Sequence, residues 1–143
     1  MMNGTDTKGS PSDASCPCGS GKPLTHCCGP YLDGKELPAR AESLMRSRYT
    51  AFVHENIDYL YQTLWPKYQP GFDHFATARW AAENHWVGLD ILDVREGEAT
   101  DRRGMVLFEA RYLAGGSLHT HRELSLFRKS KGRWYYCEAL PES

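Results

Sequence analysis

The chain has 143 residues, of which 41% are hydrophobic and 24% charged, and its formal net charge is −1. This balance argues against a nucleic-acid or anionic-membrane surface that covers the whole molecule, because such surfaces need an excess of basic residues. No apolar run approaches the ~20 residues of a membrane span, and the N-terminus has no apolar signal segment. A cytoplasmic protein without a membrane partner is therefore predicted.

The composition divides the chain into four segments. Residues 1–15 are polar and have no apolar face to bury, which predicts a flexible tail. Residues 16–30 form a cysteine-rich motif, and residues 31–38 form a linker with Gly and Pro. Residues 39–143 have the periodicity of a folded domain.

Three helices are predicted at the start of this domain. Residues 39–53 contain good helix formers, no Gly or Pro, and apolar residues at helical spacing. A second helix is expected to begin near residues 56–58, with Asp58 as its cap, and to end before Pro66. A third is expected over residues 73–84. The side chains expected to be buried from the third helix are Phe75, Ala78 and Ala82.

After Asn84 the hydrophobic period changes to two, which is typical of β-strands. Val87, Leu89 and Ile91 alternate, and the phase then shifts to Leu92, which predicts a β-bulge. Helices followed by an antiparallel meander predict an α+β fold. The further strands are expected around residues 105–113, 118–129 and 134–139, with turns at 115–116 and 130–133.

Four of the five cysteines lie in "CPCGSGKPLTHCCG", residues 16–29. In a reducing cytosol such a cluster is more typical of a metal site than of disulfides. Four thiolates in two close pairs suit tetrahedral zinc, and a site with four protein ligands is closed and therefore structural. His26 is an alternative ligand, and ordinary buried cysteines or a redox pair are the alternatives to metal. The predicted ligands are Cys16, Cys18, Cys27 and Cys28.

This cysteine stretch resembles the SEC-C motif, a zinc-binding element that is also found at the C-terminus of the translocation motor SecA. The resemblance implies that the four cysteines bind Zn²⁺ and that Ser20 shapes the loop. It also implies docking of a protein partner, in some proteins with nucleic acid or the ribosome nearby. The aromatic position of the motif is occupied by Leu24 here.

The remainder of the chain resembles the YchJ-like family of uncharacterised bacterial proteins. The resemblance is carried by several segments, among them "LMRSRYTAFV" (44–53), "FEARY" (108–112) and "GRWYY" (132–136). It implies a SEC-C zinc knuckle followed by a nuclear transport factor 2-like, or cystatin-like, domain. That domain is a cone of helices packed on a curved antiparallel sheet around a pocket. The family has no established activity, so the resemblance implies an architecture and not a function.

The predicted strand "LHTHRELSLF" (118–127) carries polar side chains on one face. His121 and Glu123 are two residues apart, so their side chains point the same way. Because a carboxylate raises the basicity of an adjacent imidazole, these residues are predicted to be a catalytic acid–base pair. The alternatives are a solvent-exposed face for the histidines, and an ion pair of Arg46 or Arg48 with Glu109 or Glu123. Aromatic residues expected in the core or the pocket wall are Tyr49, Tyr59, Trp86 and Trp134.

The sequence favours the first of three functions for a zinc-binding protein and leaves the other two as alternatives. The first is a protein-docking module, in which the zinc motif binds a protein partner and the cone is a scaffold or binds a small ligand. The second is a small-molecule enzyme with isomerase- or dehydratase-like acid–base chemistry in the cone. The third is a translation- or RNA-associated factor that uses the zinc motif and the basic turn "RKSKGR" (128–133). The cone fold is also compatible with a homodimer.

Overall fold

The computed structural model describes residues 14–142, so residues 1–13 of the predicted tail lie outside the described residues. The helices within 14–142 are α1 (Gly29–Leu32), α2 (Ala41–Val53), α3 (Ile57–Gln62) and α4 (His74–Glu83), with 3₁₀ turns at Leu24–His26 and Pro66–Gly71. The strands are β1 (His85–Glu96), β2 (Arg103–Ala114), β3 (Ser117–Ser130) and β4 (Arg133–Leu140). They form an antiparallel sheet in the order β1-β2-β3-β4. Over this described range, no helix combines the length and apolarity needed to cross a bilayer.

Helix α2 is the centre of the core and packs against β1, β2 and β4. The face of the sheet that α2 covers is called the inner face below. The helix predicted over residues 39–53 is confirmed and begins at Ala41. Leu44 and Ala51 of α2 are fully buried together with Val106 and Phe127 of the sheet. Full burial of one such Leu, Val or Phe side chain contributes about 1.5–3 kcal/mol, so this layer holds the helices on the sheet.

Helix α3 is confirmed, but its cap is not the predicted one. The Asn56 side chain accepts a hydrogen bond from the Tyr59 backbone N–H at 3.1 Å, whereas Asp58 lies inside the first helical turn. A cap must stand just before the helix, where its side chain can reach the free N–H groups. Asn56 occupies that position, and this makes the prediction of Asp58 as the cap wrong.

Helix α4 is also confirmed, but the predicted buried face is rotated. Phe75 is 76% exposed and Ala82 is exposed, whereas Ala81 is 4% exposed. One residue corresponds to a rotation of ~100° about the helix axis, so a small error in phase places the apolar stripe on the wrong side. The Phe75 ring lies beside the Arg79 guanidinium instead, with 5.8 Å between the ring centre and Cζ.

The sheet contains the predicted bulge and two register shifts that were not predicted, of which the first lies between Trp86 and Gly88 of β1. The register of β1 against β2 shifts between Ile91 and Asp93, which confirms the bulge expected at Leu92. The register of β3 against β4 shifts between Leu126 and Phe127. A bulge changes which side chains of the two strands lie opposite each other. The shift between Leu126 and Phe127 therefore sets how residues 138–140 of β4 pair with residues 124–126 of β3.

The loop of residues 16–28, called the knuckle below, packs directly on α2. Cys16, Cys18 and Cys28 are 4%, 0% and 1% exposed and belong to the same buried cluster as α2. The Cys16 Sγ lies 3.6 Å from Thr50 Oγ1, and Arg46 donates a hydrogen bond to the Cys18 carbonyl at 2.8 Å. The knuckle is therefore part of the core of the described structure and not a separate lobe.

Candidate functional site

The four cysteine sulfurs of the knuckle lie around one point. Their Sγ atoms are all within 4.8 Å of one another. The Cys18 and Cys27 sulfurs are 3.5 Å apart, and those of Cys27 and Cys28 are 4.0 Å apart. Four sulfurs at about 2.3 Å from one tetrahedral ion are separated by about 3.8 Å from each other. The donor set and its spacing therefore fit a closed tetrahedral metal site.

The backbone of the knuckle brings the two cysteine pairs together. Gly19 and Gly21 adopt positive φ angles of 81° and 84°, which glycine reaches at little cost. The Cys16 N–H donates to the Lys22 carbonyl at 2.8 Å and closes the loop. The Ser20 hydroxyl lies 3.1 Å from the Cys27 sulfur. Ser20 is therefore in contact with the metal-binding set.

The alternative ligand His26 is not part of this cluster. His26 is exposed, and its Nδ1 lies 3.3 Å from Thr25 Oγ1. Among residues 14–142, the group that can share one ion consists of the four cysteines. The sequence alone could not distinguish between these two sets, because His26 is the direct neighbour of Cys27.

The surroundings favour the thiolate form at Cys18, whereas burial raises the pKa of Cys27. Hydrogen bonds from the Cys16 and Cys28 thiols hold the pKa of Cys18 well below its usual range, and hydrogen bonds with Cys16 and Cys18 raise the pKa of Cys28. The Arg46 Nη1 lies 3.9 Å from the Cys18 sulfur. Since metals bind the thiolate, a nearby guanidinium supports a site with several negative sulfurs.

A second candidate site is a cavity of about 190 Å³ between α2, α4 and the inner face of the sheet. Its walls are largely apolar, and its polar groups lie on α2, β3 and β4. The apolar and aromatic lining residues are Met45, Tyr49, Phe52, Trp80, Trp86, Phe108 and Ala110. The polar lining residues are Arg48, His121, Glu123, Ser125 and Tyr136. A concave apolar cavity with a few converging polar groups is the usual form of a small-molecule site.

The predicted pair His121 and Glu123 lies in the wall of this cavity. The His121 Nε2 is 3.0 Å from Glu123 Oε1, and the side chains are 49% and 15% exposed. Glu123 Oε2 accepts hydrogen bonds from the Ser125 hydroxyl at 2.6 Å and the Tyr136 hydroxyl at 2.8 Å. Burial opposes ionisation of Glu123, but the hydrogen bonds from Ser125, Tyr136 and His121 outweigh it and lower the pKa of the carboxyl. Glu123 is therefore a carboxylate at neutral pH.

The charge on Glu123 determines how His121 can act. A carboxylate accepts hydrogen bonds and cannot donate them, so the neutral His121 ring carries its proton on Nε2. The other ring nitrogen, Nδ1, then has a free lone pair, and it has no hydrogen-bond partner among residues 14–142. The pair can accept a proton at Nδ1 while Glu123 stabilises the resulting imidazolium.

The predicted ion pairs of the helix arginines are wrong. Arg46 pairs with Glu42 at 2.9 Å, one helical turn away. Glu109 pairs with Arg122 at 2.9 Å on the other face of the sheet. The partner of Glu123 is the histidine of its own strand, because two strand residues at i and i+2 are closer than a helix side chain across the layer.

Arg48 enters the core but reaches backbone and hydroxyl acceptors. Its Nη1 donates to the Leu60 carbonyl at 2.9 Å and to Thr63 Oγ1 at 2.6 Å. Its Cζ lies 4.8 Å from the centre of the Tyr136 ring. Burial lowers the pKa of Arg48 to about 10, so it remains charged at neutral pH. The charged Arg48 side chain therefore lies against the ring of Tyr136, whose hydroxyl donates a hydrogen bond to Glu123.

The expected wall residues separate into two groups. Tyr49 and Trp86 line the cavity, whereas Tyr59 and Trp134 are buried away from it. Sequence reasoning missed Trp80, since it depended on the wrong face of α4. It also missed Tyr136, although the alternation in β4 places Tyr136 on the same face as the buried Trp134.

Replacing Glu123 with Gln is expected to flatten the acid limb of the stability profile. The folded state lowers the pKa of Glu123, so its carboxylate stabilises the fold above the unfolded value of about 4.3. That contribution is lost as the pH falls through the folded pKa. Urea unfolding of both proteins from about pH 3 to 7 measures the difference.

The control for this measurement is Glu138→Gln, at an exposed site on β4. It is expected to keep the wild-type profile. An acid limb in Glu123→Gln as steep as that of the wild type would show that the hydrogen bonds do not hold Glu123 in its ionised form.

Comparison with known proteins extends this description. Residues 40–139 match the family model "YchJ, middle NTF2-like domain". The UPF0225 protein GSU1048 of Geobacter sulfurreducens is 42% identical over 123 residues, which cover 86% of this chain and 76% of that protein. Both comparisons concern most of the main domain, so they bear on the architecture around the cavity.

Two solved structures are similar over nearly the whole chain. RPA3114, a SEC-C motif containing protein from Rhodopseudomonas palustris, superposes with a TM-score of 0.84 at 39% identity, and the match covers 91% of this chain and 100% of that one. A SEC-C motif containing protein from Psychrobacter arcticus superposes with a TM-score of 0.78 at 31% identity, covering 93% and 86%. The predicted α+β fold, with a cysteine knuckle and a nuclear transport factor 2-like domain, is confirmed.

Proposed function

The chain belongs to the YchJ-like family, and from this premise we propose that it is a zinc-containing protein that binds a small molecule in the cavity of its nuclear transport factor 2-like domain. The observation that carries the proposal is the His121–Glu123 pair in the wall of an aromatic-lined cavity. Hydrogen bonds from Ser125, Tyr136 and His121 hold an ionised carboxylate in an otherwise apolar wall, an arrangement that is enriched at functional sites.

The metal is proposed to be zinc with a structural role. Four thiolates at tetrahedral spacing satisfy zinc without an open position for water or substrate. The residues that would hold it are Cys16, Cys18, Cys27 and Cys28. When bound, zinc would cross-link the knuckle and neutralise part of its negative charge, and Arg46 would compensate a further part.

The polar groups of the cavity support acid–base chemistry on a bound small molecule. Apolar walls such as Trp86 and Phe108 lower the local polarity and so strengthen electrostatic interactions in the cavity. His121 would take a proton from the ligand at Nδ1, and Glu123 would hold the ring and stabilise its charged form. Isomerisation or dehydration of a small molecule needs only such a pair.

Trp86 offers a further group for recognition. Its indole Nε1 is buried and has no hydrogen-bond acceptor among the described residues. A buried donor without an acceptor is destabilising by about 1–3 kcal/mol. An acceptor group of a ligand that reached Nε1 would remove this cost, which favours ligands with a carbonyl or hydroxyl oxygen over pure hydrocarbons.

Replacing His121 with Asn is expected to remove most of the thermal stabilisation that a ligand provides. A library of small carbonyl and hydroxyl compounds is screened by thermal shift against the wild type. A true ligand at 100 times its Kd stabilises the protein by about 2.7 kcal/mol through mass action. His121→Asn is then tested with the compounds that stabilise the wild type.

The matched control is His119→Asn. His119 is exposed on the same strand, stacks on Tyr112 with 5.2 Å between ring centres, and does not line the cavity. It is expected to keep the full response. Compounds that stabilise His121→Asn as strongly as the wild type, or a screen without any stabilising compound, would contradict a ligand site at this pair.

Docking of a protein partner through the knuckle stays a prediction. The burial of the cysteines indicates which side of the knuckle such a partner would contact. Three of the four cysteines face α2, and Cys27 is the half-buried one. The proposed contact is therefore on the side of the knuckle around Cys27, where Lys22 and His26 are exposed. A pull-down with Lys22→Glu against the wild type tests it: a specific partner should be lost, and equal capture would contradict docking at this side.

A further inference from the structure

One end of the sheet concentrates arginines that have no acidic partner. β1 and β3 end there, and β2 and β4 begin there. Of the other described arginines, Arg46, Arg95, Arg111 and Arg122 are each paired with a carboxylate, whereas Arg40, Arg48 and Arg79 are not. Within the described part of the chain, no carboxylate lies within salt-bridge distance of the arginines at this end. These are Arg102, Arg103, Arg128 and Arg133.

Two aromatic rings lie among these arginines on the outer face of the sheet. Trp65 and Tyr135 are 5.8 Å apart between ring centres. The Arg128 Cζ is 6.0 Å from the Trp65 ring, and the Arg133 Cζ is 5.7 Å from the Tyr135 ring. Arg103 is the cross-strand partner of Arg128, and Arg128 is that of Tyr135. Trp65, Arg103, Arg128, Arg133 and Tyr135 are called the hairpin-end surface below.

The hairpin-end surface is separate from the cavity. Consecutive residues of a strand point to opposite faces. The neighbours of Tyr135 are Trp134, which is buried, and Tyr136, which lines the cavity. A ligand on the hairpin-end surface would therefore not contact the His121–Glu123 pair.

We propose that the hairpin-end surface binds single-stranded nucleic acid. Guanidinium groups bind backbone phosphates, and aromatic rings and guanidinium planes stack on unpaired bases. Cations alone would fit any polyanion, but cations alternating with aromatic rings match the alternation of phosphate and base in a single strand. A local surface of this kind is compatible with the formal net charge of −1, because a balanced total charge does not exclude a local cluster of basic side chains.

The binding test uses a fluorescein-labelled oligo(U) of about 12 nucleotides and fluorescence anisotropy on the full chain. The oligonucleotide is expected to bind at about 50 mM salt and to weaken with added salt. The expected slope of log K against log salt is about −2, because each of three arginine–phosphate contacts with a single strand contributes about −0.7. Oligo(dT) of the same length measures whether the sugar matters.

Two variants and a control locate the site. Arg103→Gln/Arg128→Gln is expected to weaken binding about ten-fold and to reduce the salt slope by about 1.4. Tyr135→Leu is expected to weaken binding about ten-fold with the slope unchanged, since it removes stacking and not charge. Arg122→Gln, an exposed and ion-paired arginine on the same strand as Arg128, is expected to bind like the wild type.

The proposal is overturned if no oligonucleotide binds at about 50 mM salt, or if the double arginine variant binds like the wild type. It is also overturned if a duplex of the same length binds more tightly, or if polyglutamate binds as well as oligo(U), since either result removes the role of unpaired bases. Circular dichroism checks folding. Should Tyr135→Leu unfold, the double variant still decides the outcome, because both of its arginines are exposed.

Discussion

Replacing Cys18 with Ser is expected to abolish tight binding of one zinc ion and to lower the free energy of unfolding by at least about 3 kcal/mol. Cys18 is 0% exposed and lies 3.5 Å from the Cys27 sulfur, so a hydroxyl there removes a ligand at the centre of the cluster. Binding energy of a structural zinc is folding energy, because the site does not exist in the unfolded chain.

The loss is expected to spread beyond the knuckle. Cys16, Cys18 and Cys28 belong to the buried cluster around α2. Arg46 and Thr50 of α2 contact the knuckle directly. A knuckle without its ion would therefore expose apolar surface of the main helix as well as its own.

Metal analysis and urea unfolding with and without a chelator measure this effect. Chelation of the wild type should produce a loss similar to that of Cys18→Ser, and the variant itself should not respond to the chelator. Cys137→Ala is the control: Cys137 is a buried thiol outside the cluster, and burial raises its pKa to about 11. It should retain one metal ion per chain. A full equivalent of zinc in Cys18→Ser would contradict the assigned ligands.

The parts of the structure that the sequence predicted depend on local patterns. The spacing of the cysteines in the knuckle, the helical period of residues 39–53 and the period of two after Asn84 can each be read within a short window. The pairing of His121 with Glu123 also belongs to this class, because both lie on one strand at i and i+2. Such features can be predicted without knowing how distant parts of the chain pack together.

The parts that the sequence did not predict depend on register and on contacts between layers. Tyr136 reaches Glu123 because the β3–β4 hairpin pairs Tyr136 with Phe127, and a shift of one residue would turn Tyr136 to the other face. Arg48 reaches Leu60 because α3 presents its last carbonyls to α2. Neither distance can be inferred from residue spacing alone.

The hairpin-end surface combines a local sequence feature with a residue that is distant in the sequence. The basic turn of residues 128–133 is visible in the sequence. Trp65 is more than sixty positions away, and it joins this surface because its backbone N–H donates to the Tyr136 carbonyl at 2.8 Å. The aromatic component of the surface is therefore a product of the tertiary structure.

Replacing Trp134 with Ala is expected to lower the free energy of unfolding by about 3–5 kcal/mol. Trp134 is 1% exposed and is among the largest fully buried side chains of the described residues. Its Nε1 donates a hydrogen bond to the Ala39 carbonyl at 3.0 Å, just before α2 begins. The indole thus joins the last strand to the segment that leads from the knuckle into the main helix.

Two comparison variants separate the contributions of the ring and its N–H group. Trp134→Phe keeps an aromatic ring but leaves the Ala39 carbonyl without its donor, and a smaller loss of about 1–3 kcal/mol is expected. Trp80→Ala removes an indole that is 43% exposed, so it should cost less than Trp134→Ala. Guanidinium unfolding at constant zinc measures all three. Equal losses in the free energy of unfolding for Trp134→Ala and Trp80→Ala would contradict the role of Trp134 in joining β4 to the segment before α2.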